Sequence, residues 1–358
     1  MMNHADKNRV LVAMSGGVDS SVAAILLQRD GYDVSGITMC ISAESAGGGK
    51  KCCSPEDITD ARKVCRDLGI EHHVLSMSGE MEKQVIGPFV DEYLKGRTPN
   101  PCILCNEHIK FRALVDSLAA SGMDLLATGH YAKIAYEGGV PALARPNDRT
   151  KDQTYFLYSV DRARLGKVLF PLGDLTKDEV RKIAAEAGLK VSEKSESQDV
   201  CFWPEGGGAA FFESRGIEPV PGDIVSVSGE ILGRHEGIFN YTIGQRRGLG
   251  ISAPAPLYVI SIDPETNTVV AGEERHLFSD RLTAKPVNFL PGETGGRADG
   301  KIRYAHGPES CEFSLSGDVL EVRFDEPQKS VTPGQSVVLY RDDVVIGGGI
   351  IDNASLTE

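Results

Sequence analysis

No apolar run in the sequence approaches the ~18 residues of a membrane-spanning helix, and the polar start, Met1 to Arg9, does not have the form of a signal peptide. Both absences point to a cytoplasmic protein with no membrane partner. Positive charge is short as well: 38 Lys and Arg stand against 51 Asp and Glu, giving a formal net charge of −13. A broadly basic nucleic-acid surface is thereby excluded, and any RNA contact must come from local patches that salt would weaken. Two familiar nucleotide signatures are also missing. The chain has no Gly-x-x-x-x-Gly-Lys-Ser/Thr, which removes the P-loop, and no Gly-x-Gly-x-x-Gly, which removes the dinucleotide fingerprint. A disulfide framework is not expected, because 358 residues with 41% hydrophobic content can bury a core without one.

What is present is organised around Val10 to Ser21. The apolar run Val10 to Met14 reads as a buried parallel strand, and Val22, Ala23, Ile25 and Leu26 read as a helix that ends at Gly31. Between them lies Ser15-Gly16-Gly17-Val18-Asp19-Ser20. Its two glycines can turn successive backbone N–H groups inward, at a helix N-terminus whose dipole favours anions. The stretch reads as a phosphate site.

Strands at Tyr32 to Cys40, His72 to Leu75 and Asp124 to Ala127 alternate with helices. The helices open at Ser54-Pro55-Glu56-Asp57, run from about Met81 to Leu94 across a break at Gly87-Pro88, and run from about Glu107 to Ala120. This pattern gives an α/β fold, a doubly wound parallel sheet with ligands beyond the carboxyl ends of its strands. A hairpin follows from Tyr131 to Arg145, then a capping box at Thr176 to Glu179. From Gly206 the helical alternation stops. Residues 1–205 are expected to form the catalytic domain, 206–280 a small β-rich domain and 281–358 a closed β-barrel of about six strands.

The eight cysteines divide by context. Cys40, Cys65 and Cys311 fall in apolar strand and helix patterns and read as core. Cys52 and Cys53 lie in a glycine- and lysine-rich loop from Ser42, as adjacent thiols or as metal ligands. Cys102 and Cys105 form a Cys-x-x-Cys just before a helix, with Asn106 as its N-cap, where the dipole stabilises thiolate. Such a pair can be redox-active, half of a zinc site or part of an iron–sulfur site completed by a third cysteine.

Ser-Gly-Gly-Val-Asp-Ser resembles the pyrophosphate loop of the N-type ATP pyrophosphatases. After it come Asn100-Pro101-x-x-x-Cys105-Asn106, Ala127-Thr128-Gly129-His130-Tyr131-Ala132, Lys151-Asp152-Gln153-Thr154-Tyr155-Phe156-Leu157, Ser197-Gln198-Asp199-Val200-Cys201-Phe202 and Tyr241-Thr242-Ile243-Gly244-Gln245-Arg246. In this order they resemble the tRNA-specific 2-thiouridylase family over nearly the whole chain. The resemblance implies an adenine nucleotide alpha hydrolase-like catalytic domain that adenylates the C2 oxygen of the wobble uridine. Sulfur then replaces that oxygen, and AMP and pyrophosphate are released. It implies ATP at Ala13, Met14, Ser15, Gly16, Gly17, Val18, Asp19, Ser20, Met39 and Gly129, with Asp19 assisting Mg²⁺. It places the target base at Asn100, Pro101 and Cys102, tRNA at His130, Lys151, Asp152, Gln153, Arg303, Tyr304 and Gln335, and catalysis at Cys105 and Cys201.

The chain departs from the best-known branch of that family, which has Asp at the position of Cys102. Two sulfur routes therefore stand open. In one, Cys201 carries a persulfide that Cys105 resolves as a disulfide. In the other, which Cys102 favours, Cys102, Cys105 and Cys201 hold a four-iron four-sulfur cluster with one open iron. The donor would be a cysteine desulfurase, a sulfur relay protein or sulfide. The rival readings are another pyrophosphate-loop ligase, which needs no cysteine pair, and a zinc-stapled RNA-binding module, which would want a fourth ligand.

Overall fold

A computed structural model describes residues 8–40, 55–189, 200–203 and 207–355. The loop from Ser42 with Cys52 and Cys53, the Ser54 cap and the run Ser195 to Asp199 lie outside the described residues. In chain order the elements begin with β1 (Arg9–Ala13), α1 (Val18–Arg29), β2 (Asp33–Cys40), α2 (Pro55–Leu68), β3 (His72–Ser76) and α3 (Ser78–Met81). A π-helical turn over Glu82–Ile86 leads into α4 (Gly87–Leu94), and α5 (Pro101–Leu104) continues through a π-helical segment, Cys105–Ala113, into α6 (Leu114–Ser117). Next come β4 (Leu125–Thr128), β5 (Lys133–Glu137), β6 (Val140–Ala144), α7 (Arg162–Leu165), β7 (Val168–Leu169), α8 (Lys177–Glu186) and α9 (Gly207–Ser214).

Two compact units emerge. The first takes residues 1–85, 102–202 and 343–345, and the second takes 86–101, 203–342 and 346–358. The first is built on a parallel sheet of order β3-β2-β1-β4-β7. Its centre is β1, because Val10, Leu11 and Val12 are branched, apolar and buried on both faces. Since β2 pairs on one side of β1 and β4 on the other, the chain reverses direction of winding at β1. The crevice beyond the carboxyl ends of β1 and β4 is therefore where such a sheet binds ligands. Helix α1 buries Val22, Ala23 and Ala24 completely, and Val180 and Ala184 of α8 join the same core.

The second unit holds two β structures. A four-stranded sheet of order β10-β11-β8-β9 is formed by β8 (Gly222–Ser226), β9 (Ile231–His235), β10 (Tyr258–Asp263) and β11 (Thr268–Gly272). It closes over Ile224, Val259 and Val269. The remaining strands are β12 (Phe278–Phe289), β13 (Gly295–Lys301), β14 (Glu309–Ser316), β15 (Val319–Lys329), β16 (Ser336–Arg341) and β17 (Val344–Ser355). They run in the order β12-β15-β14-β13-β16-β17, and β12 pairs again with β17, so the six-strand barrel is closed. Cys311 and Cys65 are fully buried, as the apolar patterns predict, and Cys40 is half-buried at the end of β2. Among the described residues no helix is long and apolar enough to cross a membrane.

Candidate active site

Beyond the end of β1 the loop closes on itself. The Ser15 amide donates to Ser20 Oγ at 3.2 Å, and the Ser15 and Ser20 hydroxyls lie 3.3 Å apart. Ser21 Oγ donates to the Gly17 carbonyl at 2.8 Å. Gly17 is the N-cap of α1, and no side chain caps that helix start. Gly16 has φ +72, and a Cβ there would lie 2.6 Å from the Asp57 carbonyl oxygen at the start of α2. The loop thus has the geometry of an anion cradle: serine hydroxyls, a positive-φ glycine and a helix N-terminus.

Gly129, just past β4, backs directly onto this cradle. A Cβ at Gly129 would sit 2.6 Å from the Ser20 amide nitrogen, so only glycine permits the approach. The crevice between β1 and β4 therefore brings Ser15 to Ser20 and Gly129 together. Met14 is buried, its carbonyl accepting from Thr38 Oγ1 at 2.9 Å, while Met39 lies half-buried at the carboxyl end of β2.

Asp19 is held by two donors that the sequence reading did not single out. Lys177 Nζ donates to both carboxylate oxygens, at 2.7 and 2.8 Å, and Tyr131 Oη donates to Oδ1 at 3.0 Å. The Lys177 side chain is 7% exposed. It stands at the first residue of α8, where a capping box between Thr176 and Glu179 fixes the helix start and the Lys177 amide donates to Asp148 Oδ2. A lysine at a helix N-terminus opposes the dipole. That misfit was the available signal, and the capping box masked it.

The Lys151 to Gln153 run is tied down. Gln153 exchanges hydrogen bonds with the Tyr131 backbone through both its side chain and its amide. Asp152 is 2% exposed, and its carboxylate accepts from Arg145 Nε, the Thr154 amide and Thr154 Oγ1. Asp152 thereby anchors the loop through Arg145 and Thr154. His130 bonds Thr128 Oγ1 through Nδ1 and packs against Phe111 and Phe170. Burial, with Lys110 adding to it, pushes its imidazole well below the ordinary range, so it is neutral at pH 7.

The Cys-x-x-Cys is not in front of its helix. Helix α5 begins at Pro101 and contains Cys102, and Cys105 opens the π-helical segment that continues it. Proline suits the first helical position, since its missing N–H would have no partner there. Asn106 accordingly does not cap; it is 2% exposed and its side-chain amide donates to the Phe156 carbonyl. Cys102 is exposed, Cys105 is buried and Cys201 is half-buried, all three as thiols. Among the described residues no three Cys, His, Asp or Glu side chains converge as a metal ion requires. Both Asp19 carboxylate oxygens receive the Lys177 ammonium, so a Mg²⁺ held at Asp19 would share the carboxylate with that cation.

In the second unit Arg246 and Arg247 are exposed, Arg303 is half-buried and Tyr304 is exposed, its ring 5.3 Å from Lys301 Nζ. Gln335 points elsewhere, to the Thr98 carbonyl.

Three family models match in tandem: tRNA methyl transferase HUP domain over residues 8–205, tRNA methyl transferase PRC-barrel domain over 210–273 and aminomethyltransferase beta-barrel domain over 279–351. The chain is 49% identical to the tRNA-specific 2-thiouridylase MnmA 1 of Syntrophus aciditrophicus, over 97% of this chain and 94% of that protein. It is 48% identical to tRNA-specific 2-thiouridylase MnmA of Geobacter metallireducens over all of both chains, and 47% identical to that of Syntrophotalea carbinolica over 97% of this chain and 99% of the relative. With nearly half of all positions identical over almost the whole length, the chain belongs to the tRNA-specific 2-thiouridylase family.

Proposed function

We propose that the chain is a cytoplasmic tRNA uridine 2-sulfurtransferase that uses ATP to activate the C2 oxygen of the wobble uridine and then replaces it with sulfur. The observation that carries this reading is the uncapped start of α1 pressed against Gly129, a phosphate cradle at the winding reversal of the sheet. The names of the relatives support the substrate and the sulfur chemistry.

A uridine C2 carbonyl is a weak electrophile with a poor leaving group. Transfer of AMP to its oxygen creates a good one, and pyrophosphate remains in the Ser15 to Ser20 cradle. Ala13, Met14, Met39 and Gly129 surround the rest of the nucleotide. Lys177 supplies the ammonium that the loop itself lacks. With ATP bound, its position beside Asp19 lets it share its protons with the phosphate oxygens that develop charge as the bond between the α and β phosphates breaks. Single-stranded anticodon bases can be splayed out at modest cost, and Asn100, Pro101 and Cys102 receive the target base.

For sulfur we take the two-cysteine route, which needs only Cys105 and Cys201 as free thiols. The terminal sulfur of a Cys201 persulfide attacks the activated C2 and expels AMP. The Cys105 thiolate then attacks the Cys201 sulfur, the S–S bond breaks, and its electron pair leaves with the 2-thiouridine. The resulting Cys105–Cys201 disulfide needs an external dithiol to restore both thiols. The upstream donor is a cysteine desulfurase, a sulfur relay protein or sulfide. Residues 1–205 do the chemistry, while 206–280 and 281–358 bind tRNA through Arg303 and Tyr304, with His130 and Lys151 as further contacts.

The test is anaerobic incubation of the protein with unmodified tRNA, ATP labelled at each phosphate and a persulfide donor. AMP, pyrophosphate and a sulfur-for-oxygen mass increment on the wobble uridine are expected. ADP and phosphate, or a methyl increment, would refute the reading. Thiolation that tracks bound iron and fails in metal-free protein would replace the persulfide route by the cluster.

A further inference from the structure

The base-contact residues Asn100 and Pro101 end a segment, residues 86–101, that packs with the second unit. Two anchors hold it there. Arg97 Nη1 donates to Asp352 Oδ1 at 2.9 Å, Nη2 donates to the Ile351 carbonyl at 2.8 Å, and Nε lies 2.6 Å from Glu92 Oε2. Asp352 is shared with Lys285 Nζ at 3.0 Å. The second anchor is the turn between β15 and β16. The Thr98 amide donates to the Pro333 carbonyl at 2.9 Å, and the Thr98 carbonyl accepts from Gln335 Nε2 at 2.7 Å. Gly334, at φ +92, lies flat under Thr98, where a Cβ would come within 2.9 Å of its backbone. The turn is itself bonded to β17, since the Gly334 amide donates to the Ile351 carbonyl and the Ile351 amide donates to the Gln335 carbonyl.

Both backbone polar groups of Thr98 are thus satisfied by one barrel turn, and the residue before it is clamped to the strand that this turn pairs with. We infer that Gln335 and Arg97 are positioning residues: they tether the Thr98 to Pro101 segment to the barrel, so that the surface that grips tRNA also sets where the target base is received. This rests on the reading of Asn100 and Pro101 as base contacts. It gives Gln335 a different task from a direct RNA contact. A side chain whose donor is spent on Thr98 at hydrogen-bond distance has less to offer a phosphate, and its removal frees a backbone segment, not an RNA strand.

The test uses the full chain with Gln335→Met, which keeps the volume and removes the donor, and Gln335→Lys, which restores a donor of similar reach. The expected result for Gln335→Met is a kcat for tRNA thiolation lowered about tenfold, as the loss of one hydrogen bond at a reacting centre allows. The tRNA Kd should stay within about twofold, where a direct contact would move it. Gln335→Lys should recover most of the loss. Hydrogen exchange without RNA should show the Thr98 amide less protected in Gln335→Met while β16 and β17 are unchanged. A weaker tRNA Kd with unchanged kcat would make Gln335 an RNA contact and overturn the inference. So would unchanged kcat and exchange together, or a loss of both parameters that Lys does not recover. If wild-type protein itself fails to thiolate tRNA, the functional reading fails, and the exchange measurement still decides the tether.

Discussion

At the residue scale the decisive pair is Lys177 and Asp19. Lys177→Met should abolish AMP and pyrophosphate formation to a greater degree than it weakens the fold. Removing one partner of a buried ion pair costs about 3–5 kcal/mol; here Asp19 is 31% exposed and keeps the Tyr131 hydroxyl, so the cost should fall below that range. Parallel measurement of thermal unfolding and of ATP cleavage separates the two. The thiols sort in the same way. Burial pushes Cys65 up to about 11 and Cys311 up to about 12, so neither supplies thiolate at pH 8. Among the six described cysteines, a brief pulse of iodoacetamide at that pH should label exposed Cys102 first and leave Cys65 and Cys311 untouched, as peptide mass mapping would show. Labelling of Cys311 would mean that the barrel opens.

At the element scale, the loops owe their shape to backbone approach. Gly129→Ala places a methyl group 2.6 Å from the Ser20 amide, so β4 and α1 must part. The expected result is loss of ATP binding by calorimetry, at least tenfold, with the helical circular dichroism retained. The parallel strands and the capping box were legible in the sequence because each rests on local rules: the apolar run of β1, strands alternating with helices, and the Thr176 to Glu179 spacing. The start of α5 was misplaced at Asn106 because Asn is a strong cap by type, whereas Pro101 fixes the start by geometry five residues earlier. The Gly87-Pro88 break appears as a π-helical turn over Glu82–Ile86 with Pro88 in the first turn of α4. A proline ring clashes with the carbonyl four residues back, and widening the preceding turn relieves this. What stayed hidden was pairing between distant residues. Nothing local says that Lys177 meets Asp19 across 158 positions, or that Gln335 turns toward Thr98.

At the scale of the whole molecule the question is how a chain of net charge −13 holds a polyanion. Charge repulsion opposes the encounter, so the proposed binding rests on local cations, Lys151 among them and others on the second unit. Arg246 and Arg247 are exposed and unoccupied by any ion pair among the described residues, and Arg303 stands beside exposed Tyr304 over Lys301. Two other barrel arginines are spent internally, Arg297 on Asp325 and Arg341 on Glu293. Each phosphate neutralised releases counterions and contributes to the slope of log affinity against log salt, about 0.7 per contact on single strands and 0.9 on duplex. Arg303→Ala should therefore weaken tRNA binding and reduce that slope by about one, in filter-binding titrations from low to physiological salt. Arg297→Ala, which removes a cation already paired with Asp325, should leave the slope as it was. An equal loss of slope in both variants would show that the general field of the barrel, not the Arg303 and Tyr304 loop, attracts the RNA.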